Sequence, residues 1–258
     1  MTDFEDAQFL TMVTKRGLIK RTELKYYSRI RKSGVIGIEL NEGDELAWAG
    51  LTSGSDDLLL STKNGYANRF NESDARPMGR GTRGHKAVTL RDSDEVVGVA
   101  IVSEDRKILT VTSNGRGRLS TPDNYLAKKR GGKGAKNFEC EDGVYVAGVL
   151  SVDEDRDDVI MISENGTVVR MNVSEISTQS RTARGVIVMR LGEGDRVVTV
   201  ARTLREDAEE EIVEEAENQP LDDAQVPSEK ELMDELAGDD NEDTVDEFSG
   251  ESDENGDI

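Results

Sequence analysis

Short apolar runs separated by glycine-centred turns fill residues 1–204 of the chain. Near the end of this stretch, the runs 158–163 and 167–173 flank Asn165-Gly166, and the runs 186–191 and 196–201 follow. They are rich in β-branched residues and bounded by turn residues, which is typical of strands. Their alternation predicts an inward face, whose residues are Val159, Met161, Val168, Ile187, Met189, Val198 and Val200.

This pattern occurs four times, with copies beginning near residues 9, 57, 107 and 158. The turn glycines are Gly17, Gly65, Gly115 and Gly166, and the loop glycines are Gly34, Gly84, Gly134 and Gly185. From the first copy to the fourth, the loop glycine follows the turn glycine by 17, 19, 19 and 19 residues. Repeats of about 50 residues built from short strands predict an all-β, propeller-like array.

Each copy is predicted to run as strand, turn, strand, basic loop, third strand, acidic corner and fourth strand. Asparagine precedes the turn glycine in three copies, as Asn64, Asn114 and Asn165. Asn-Gly predicts a type I′ hairpin turn, because both residues tolerate a positive φ.

Charge divides the chain at about residue 204. The whole chain has 54 acidic and 33 basic residues, of which residues 205–258 hold 24 and 2. Residues 1–204 are therefore close to neutral and long enough to bury a core. Residues 205–258 are predicted to be a disordered acidic tail, since they are poor in apolar residues and rich in like charges.

The positive charge of residues 1–204 concentrates in one loop of each copy. The candidate phosphate-binding residues are Arg29, Arg31 and Lys32 in copy one, Arg76, Arg80, Arg83 and Lys86 in copy two, Lys128, Lys129, Arg130, Lys133 and Lys136 in copy three, and Arg181 and Arg184 in copy four. Equivalent loops of consecutive blades lie along one edge, where such cations can follow a bent phosphate backbone. Double-stranded DNA is the predicted partner. The alternatives are loops charged only for solubility and a propeller that binds protein.

Residue types limit the chemistry available to the chain. Cys140 is the single cysteine and His85 the single histidine, so a disulfide within the chain, a thiolate metal cluster and a multi-histidine metal site are excluded. We predict no catalytic residue, no metal and no cofactor. No apolar run approaches the roughly 20 residues that span a bilayer, so we expect a soluble, cytoplasmic protein.

The repeats resemble the C-terminal domain of the DNA gyrase A protein. The segment Lys128-Lys129-Arg130-Gly131-Gly132-Lys133-Gly134 is similar to that family's basic box, Q-R/K-R-G-G-K-G, with Lys128 in place of glutamine. Its glycines Gly131, Gly132 and Gly134 complete the box. The segments Gly34-Val35-Ile36-Gly37-Ile38 and Gly185-Val186-Ile187-Val188-Met189-Arg190 also resemble the family's blades.

The resemblance implies a β-pinwheel that wraps DNA and supports ATP-dependent negative supercoiling, with the gyrase A cleavage domain and gyrase B as partners. In the family the box usually lies on the first of about six blades, whereas here it lies in the third copy. All five tyrosines fall inside the repeats, so this chain alone is not expected to cleave DNA. The corresponding domain of topoisomerase IV, whose box is typically degraded or absent, is the second possibility.

The ends of the array leave two arrangements open. Acidic-apolar runs lead into copies two to four, but the residues before Phe9 offer copy one no such run. Either the run 196–201 pairs with copy one and closes a four-bladed ring, or the chain is a distal fragment of a longer protein. We expect the fragment, because unprotected terminal repeats expose sheet edges.

Overall fold

The computed structural model of the protein describes residues 8–28 and 34–206. These residues form fifteen strands and four short 3-10 turns. Repeat one contains β1 (Phe9–Thr14), β2 (Leu18–Glu23) and β3 (Leu46–Thr52), and repeat two contains β4 (Asp57–Thr62), β5 (Tyr66–Asn71), β6 (His85–Lys86) and β7 (Val96–Val102). Repeat three contains β8 (Lys107–Thr112), β9 (Arg116–Ser120), β10 (Ala135–Lys136) and β11 (Val146–Val152). Repeat four contains β12 (Asp157–Ser163), β13 (Val168–Asn172), β14 (Val186–Ile187) and β15 (Val197–Leu204).

The strands form four antiparallel sheets, one for each repeat. Their strand orders are β3-β1-β2-β6, β10-β5-β4-β7, β11-β8-β9-β14 and β13-β12-β15. The predicted all-β array of four propeller-like repeats is confirmed. The 3-10 turns Leu24–Tyr27, Glu72–Asp74, Pro122–Asn124 and Val173–Glu175 each follow the second strand of a repeat.

The two long strands at the start of each repeat form a hairpin closed by the turn glycine. The amide N–H of Gly65 donates to the carbonyl oxygen of Thr62 at 3.0 Å, and the other three turn glycines make the equivalent bond. Gly65 has φ +80°, whereas the asparagines before the turn glycines do not have positive φ values. The type I′ prediction is therefore wrong. Glycine alone adopts the left-handed conformation, as in three-residue hairpin loops.

The fourth strand of each repeat returns to the first strand of the same repeat. β3 pairs with β1, β7 with β4 and β15 with β12. The acidic corner guides this return, since the Asp94 carboxylate accepts hydrogen bonds from the amides of Asn64 (2.9 Å) and Glu95 (3.0 Å). Asp44 and Asp195 make matching bonds in repeats one and four. The interpretation of these runs as leading strands of the next copy is thus wrong.

The third strand crosses to the preceding sheet. β6, β10 and β14 pair with β2, β5 and β9 of the repeat before them. Just beyond each exchanged strand, one amide donates to the carbonyl oxygen of the preceding repeat's turn glycine. These bonds join Ala87 to Gly17 (2.8 Å), Asn137 to Gly65 (2.7 Å) and Val188 to Gly115 (2.9 Å).

Glycine is required where the exchanged segments approach the preceding sheet. A Cβ atom added at Gly84 or Gly134 would lie closer than 3.0 Å to the carbonyl oxygen of Ile19 or Ala67. The turn glycine Gly115 is equally close to the carbonyl oxygen of Met189. These positions also have φ between +71° and +95°, which L side chains rarely adopt.

In the part of the chain that the structure describes, the hydrophobic core consists of three clusters, each shared by two consecutive repeats. Val13 and Ile19 of repeat one pack with Leu58, Phe70 and Val88 of repeat two. The second cluster joins repeats two and three, and the third joins repeats three and four. A repeat therefore completes its core only against a neighbour, as in other repeat proteins.

The predicted inward face of repeat four is partly wrong. Val159, Met161 and Met189 are buried and Val200 packs against the same cluster. Val168, Ile187 and Val198 are exposed. Val168 lies on a sheet edge that no described strand covers, and Ile187 lies on a two-residue exchanged strand. A register shift beside Ser163 places Val197, not Val198, in the core.

Two other expectations depend on the ends of the described chain. Among the described strands, β15 pairs with β12 of its own repeat and with no strand of repeat one, so the ring closure by that pairing is not present. The acidic tail predicted for residues 205–258 lies almost wholly outside the described residues.

Within residues 8–28 and 34–206, the structure has no helix with the length and hydrophobicity needed to span a membrane.

We predict that Gly115→Ala lowers the free energy of unfolding by about 2 to 4 kcal/mol, because its Cβ collides with the carbonyl oxygen of Met189. Gly143→Ala is the matched control. Gly143 has φ +78°, and a Cβ there meets nothing within 4 Å, so only backbone strain of about 1 to 2 kcal/mol is expected. Urea unfolding measures both values, and equal losses would contradict the exchange contact.

Candidate nucleic-acid interface

The basic loops lie at the outer edges of the sheets. We define them as residues 76–86, 128–136 and 181–184; the corresponding basic residues of repeat one lie outside the described residues. Each loop contains or leads into the exchanged strand, which is the outermost strand of the preceding sheet. The strands β3, β7, β11 and β15 lie at the opposite edges, and neighbours in this series contact one another. The positive loops therefore share one side of the repeat array.

An arginine of the preceding repeat anchors the start of two basic loops. Arg21 donates to the carbonyl oxygens of Glu72 (2.7 Å) and Ala75 (3.0 Å). Arg69 makes the same pair of bonds one repeat later, to Pro122 (3.2 Å) and Tyr125 (3.1 Å). The Arg21 guanidinium also pairs with the buried Glu72 carboxylate at 2.9 Å. Both arginines occupy the fourth position after a turn glycine, so the same repeat position supplies the anchor in both cases.

Backbone hydrogen bonds then hold each loop against the preceding sheet. The amides of Met78, Lys128 and Gln179 occupy equivalent positions, and each donates to the second strand of the repeat before it. The acceptors are the carbonyl oxygens of Arg21 (2.8 Å), Arg69 (2.7 Å) and Leu119 (2.8 Å). Because the backbone is fixed, the spacing of the loops is set by the spacing of the sheets.

Among the described residues, Arg118 and Lys20 are fully buried cations, and neither is one of the predicted phosphate-binding residues. Arg118 is fully buried and donates to the carbonyl oxygens of Ala183 (3.1 Å), Asn137 and Arg181. Lys20, also fully buried, donates to the carbonyl oxygen of Gly37 at 2.6 Å. Their common position, three residues after a turn glycine, is the signal that could have identified them.

The structure divides the predicted phosphate-binding residues into three groups. Arg29, Arg31 and Lys32 lie outside the described residues. The exposed residues are Arg76, Arg83, Lys86, Lys128, Lys129, Lys133 and Arg184, and the partly buried ones are Arg80, Arg130, Lys136 and Arg181. Within residues 8–28 and 34–206, the side chains of Lys128, Lys129 and Lys133 form no ion pair. Their ammonium groups are available to an external anion.

Some predicted binding residues join neighbouring loops. Arg130 of the box donates to the carbonyl oxygens of Asp74 (3.0 Å) and Lys86 in repeat two. Arg83 pairs with Glu39 of repeat one through bonds of 3.1 and 2.6 Å. Arg130 therefore connects two basic loops, whereas Arg83 connects its loop to repeat one, in addition to any contact with a ligand.

The box glycines occupy the same junction between repeats two and three. The Gly131 amide donates to the carbonyl oxygen of Ala87 at 2.8 Å, and the Gly132 carbonyl accepts from the amide of Thr89 at 3.0 Å. Gly134 is the loop glycine that contacts Ala67. The glycines thus let the box backbone follow the neighbouring loop, while its lysines remain at the surface.

A cleft of about 120 Å³ brings together cations of three repeats. Arg69, Lys128 and Arg181 line it, next to Tyr125 and the 78 % exposed Leu126. One terminal nitrogen of Arg181 is buried and has no hydrogen-bond acceptor among the described residues. An unsatisfied guanidinium N–H beside a free lysine suits an anionic oxygen.

Positive charge at the loops also affects the single histidine. His85 lies on β6, and its Nε2 accepts from Arg76 at 3.4 Å. Burial lowers the pKa of His85, and the nearby charges of Arg130 and Arg76 lower it further. The imidazole is therefore neutral at pH 7, although its surroundings are positive.

Comparison with known proteins identifies the fold family. The model of the DNA gyrase C-terminal domain, described as a beta-propeller, matches residues 8–53, 56–103, 106–153 and 157–203. The chain belongs to this family. Among curated relatives, the DNA gyrase A protein of Halalkalibacterium halodurans is 50% identical over 207 residues, and that of Clostridium acetobutylicum is 42% identical over 208 residues. These alignments cover 80% and 81% of the chain and 25% of each relative.

Solved structures of the DNA gyrase C-terminal domain and of its topoisomerase IV counterpart share this fold. A C-terminal domain of DNA topoisomerase IV has a TM-score of 0.76 and 27% identity, covering 84% of this chain and 68% of that one. A DNA gyrase A C-terminal domain has a TM-score of 0.69 and 29% identity, covering 78% and 68%. The chain therefore spans about a quarter of these gyrase A relatives and 68% of each of the two solved domains.

Burial of Lys20 gives a pH-dependent stability. Burial lowers the Lys20 pKa from 10.5 to about 8, so between these values the unfolded state binds a proton that the folded state has released. Stability from this group therefore rises with pH across that window. We expect the unfolding free energy of the wild type, relative to Lys20→Met, to increase by about 1 to 3 kcal/mol from pH 8 to 10.5.

The control for this measurement is Lys15→Met. A hydrogen bond with Glu45 raises the pKa of Lys15, so its stabilising contribution does not rise over the same window. Urea unfolding at several pH values measures both differences. A flat or falling difference for Lys20→Met would show that the buried ammonium is not destabilised by burial.

Proposed function

We propose that this chain is the DNA-binding and DNA-wrapping domain of a gyrase A protein. The observation that carries the proposal is the recurrence of exposed lysines and arginines on one side of consecutive repeats, at loops fixed by strand exchange. Phosphate contacts of this kind bind DNA strongly, with little sequence preference and with a steep dependence on salt.

Wrapping requires more than one loop. Bending 20 to 30 base pairs by 40 to 90° costs on the order of 1 to 6 kcal/mol. Several phosphate contacts distributed along the curve must offset this energy. Loops on successive repeats supply such contacts at intervals set by the sheets, and the hydrogen bond of Arg130 to the Lys86 carbonyl oxygen holds two neighbouring loops together.

In this role the chain is a non-catalytic part of a type IIA topoisomerase. It presents DNA to a gyrase A cleavage domain and, with gyrase B, supports ATP-dependent negative supercoiling in the cytoplasm. The gyrase A relatives and the nearly complete box support this assignment. A topoisomerase IV domain is the second candidate, because such a domain shares the fold at a TM-score of 0.76.

We predict that the double variant Lys129→Gln/Lys133→Gln weakens duplex binding and lowers the slope of log K against log salt by about 2, since each lost phosphate contact removes about 0.9. Filter binding across a salt series measures the slope. The matched control is Lys15→Gln/Lys63→Gln, which removes two lysines that pair with Glu45 and Glu95 at the corners. The control slope should stay close to that of the wild type.

The same proteins separate the candidate functions. Circles relaxed by topoisomerase I in the presence of the wild type should change linking number, and the box variant should reduce that change. Binding without a change in linking number would favour a topoisomerase IV role. No salt-dependent binding at all would leave a protein-binding propeller.

His85 provides an independent readout, because it is the single histidine of the chain. Arg130 and Arg76 contribute to its lowered pKa, and a bound phosphate backbone would offset their positive potential. We expect the His85 pKa to rise when a duplex is added, as measured by NMR titration of the imidazole signals. An unchanged pKa in the saturated complex would place the DNA away from repeat two.

A further inference from the structure

The cleft between the basic loops of repeats three and four, which we call the inter-repeat cleft, is lined by cations and by no described carboxylate. Arg69, Lys128 and Arg181 line it, and its other lining residues among those described are apolar or uncharged. Its volume of about 120 Å³ is several times the roughly 10 to 15 Å³ that one water molecule needs. The cleft therefore has both the charge and the space for a small anion.

Arg69 is a structural residue of this cleft. Its guanidinium pairs with the Asp57 carboxylate at 2.8 Å and donates to the carbonyl oxygens of Pro122 (3.2 Å) and Tyr125 (3.1 Å). Its Nε also donates to Asp57, at 2.9 Å. Since its charge is balanced and each of its nitrogens has an acceptor, Arg69 positions the loop of repeat three against the sheet of repeat two.

Arg181 and Lys128 are the cations of the cleft that have donors to spare. One terminal nitrogen of Arg181 is buried with no acceptor among the described residues, although buried polar groups are almost always hydrogen-bonded. The backbone of Arg181 is fixed, because its amide donates to the side-chain oxygen of Asn124 at 3.3 Å. The Lys128 amide donates to the carbonyl oxygen of Arg69 at 2.7 Å, whereas the Lys128 ammonium pairs with no described carboxylate.

A buried charge next to the cleft also lacks a counter-ion. Arg118 is fully buried and donates to the carbonyl oxygen of Arg181, and no carboxylate of the described residues pairs with it. Burial lowers the pKa of Arg118, Tyr125 acts in the opposite direction, and the positive charge of Arg181 lowers it further. Because buried charges in proteins are normally paired, these two neighbouring guanidinium groups favour an anion beside them.

We infer that the inter-repeat cleft binds one phosphate group, with the guanidinium of Arg181 and the ammonium of Lys128 as its donors. A phosphate group has several oxygens that share its negative charge, so it can accept from two cations on different repeats, and charge-assisted bonds of this kind are strong. The inference rests on the proposed function where the phosphate belongs to a DNA backbone. Free phosphate is the other source, and the same two donors bind it without DNA.

A phosphate in the cleft also joins repeats. Lys128 belongs to repeat three and Arg181 to repeat four, and Arg69 holds this pair of loops against repeat two. A ligand that binds the folded state alone raises the stability of the protein by mass action. Phosphate binding is therefore expected to stabilise the chain against unfolding.

Isothermal titration of inorganic phosphate into the full chain, at pH 7.5 and constant ionic strength, tests the inference without DNA. We expect one site in the wild type and binding about tenfold to a hundredfold weaker in Arg181→Gln, because a charge-assisted hydrogen bond is lost. Lys128→Gln should weaken binding as well. The matched controls are Arg184→Gln and Lys129→Gln, which remove the same charge from exposed positions of the same loops that do not line the cleft. Both should bind phosphate as the wild type does.

Thermal unfolding of the same proteins gives a second readout. Phosphate stabilises most proteins by exclusion from their surface, and this general effect is common to all variants. The additional rise in Tm should occur in the wild type and the two controls and be smaller in Arg181→Gln and Lys128→Gln. Lys128 is exposed, so Lys128→Gln keeps the test decisive even where Arg181→Gln impairs folding.

Absence of phosphate binding by the wild type would overturn the inference, as would equal binding by the cleft variants and the controls. Titrating phosphate into a complex saturated with duplex DNA separates the two sources. Loss of the phosphate signal supports a DNA phosphate in the cleft, and its persistence supports free phosphate as the ligand. A chain that binds phosphate but no duplex keeps the inference and contradicts the proposed function, so the two can fail separately.

Discussion

The repeat array depends on one hydrogen bond that recurs between consecutive repeats. The carbonyl oxygens of the turn glycines Gly17, Gly65 and Gly115 each accept from an amide of the following repeat, at 2.7 to 2.9 Å. This bond places the exchanged strand on the outer edge of the preceding sheet and brings Val88 and Met189 into cores shared between repeats. Without it a repeat would have an open sheet edge and an incomplete core, since repeats of this kind are stabilised mainly by their neighbours.

The same constraint determines where positive charge can be used. Buried cations bind carbonyl oxygens at the base of the loops, as Arg118 does with Ala183 and Lys20 with Gly37. Lysine predominates among the exposed charges of the box, and a flexible ammonium adapts to phosphates at varied positions. Arginine instead occupies sites such as Arg130, where its planar group spans two neighbouring loops.

In the proposed function, this division of roles lets a nearly neutral domain hold a stiff polyanion. The negative corners accept amides at the hairpin turns, as Asp94 does, while the positive loops lie on the outer strands. The fold thus places negative and positive side chains on different parts of each sheet, although the net charge of the domain is close to zero. Because strand exchange sets the loop spacing, the proposed DNA-binding surface is arranged in the free protein, which would reduce the ordering cost of binding.

The four repeats, the hairpins at the turn glycines and the basic box could all be predicted from the order of residues, because local turn chemistry and a constant period specify them. The sequence could not show that the third strand belongs to the preceding sheet, since a two-residue strand such as His85–Lys86 has no pattern that names its partner. The core prediction for Val168 and Ile187 was wrong for the same reason, since both lie at sheet edges where strand exchange decides which neighbour is present. Only the tertiary structure separated Lys129 and Lys133, which face solvent, from Arg130, which binds the neighbouring loop. Cationic side chains of one motif therefore have different roles, because packing brings backbone carbonyl oxygens within reach of some of them and not of others.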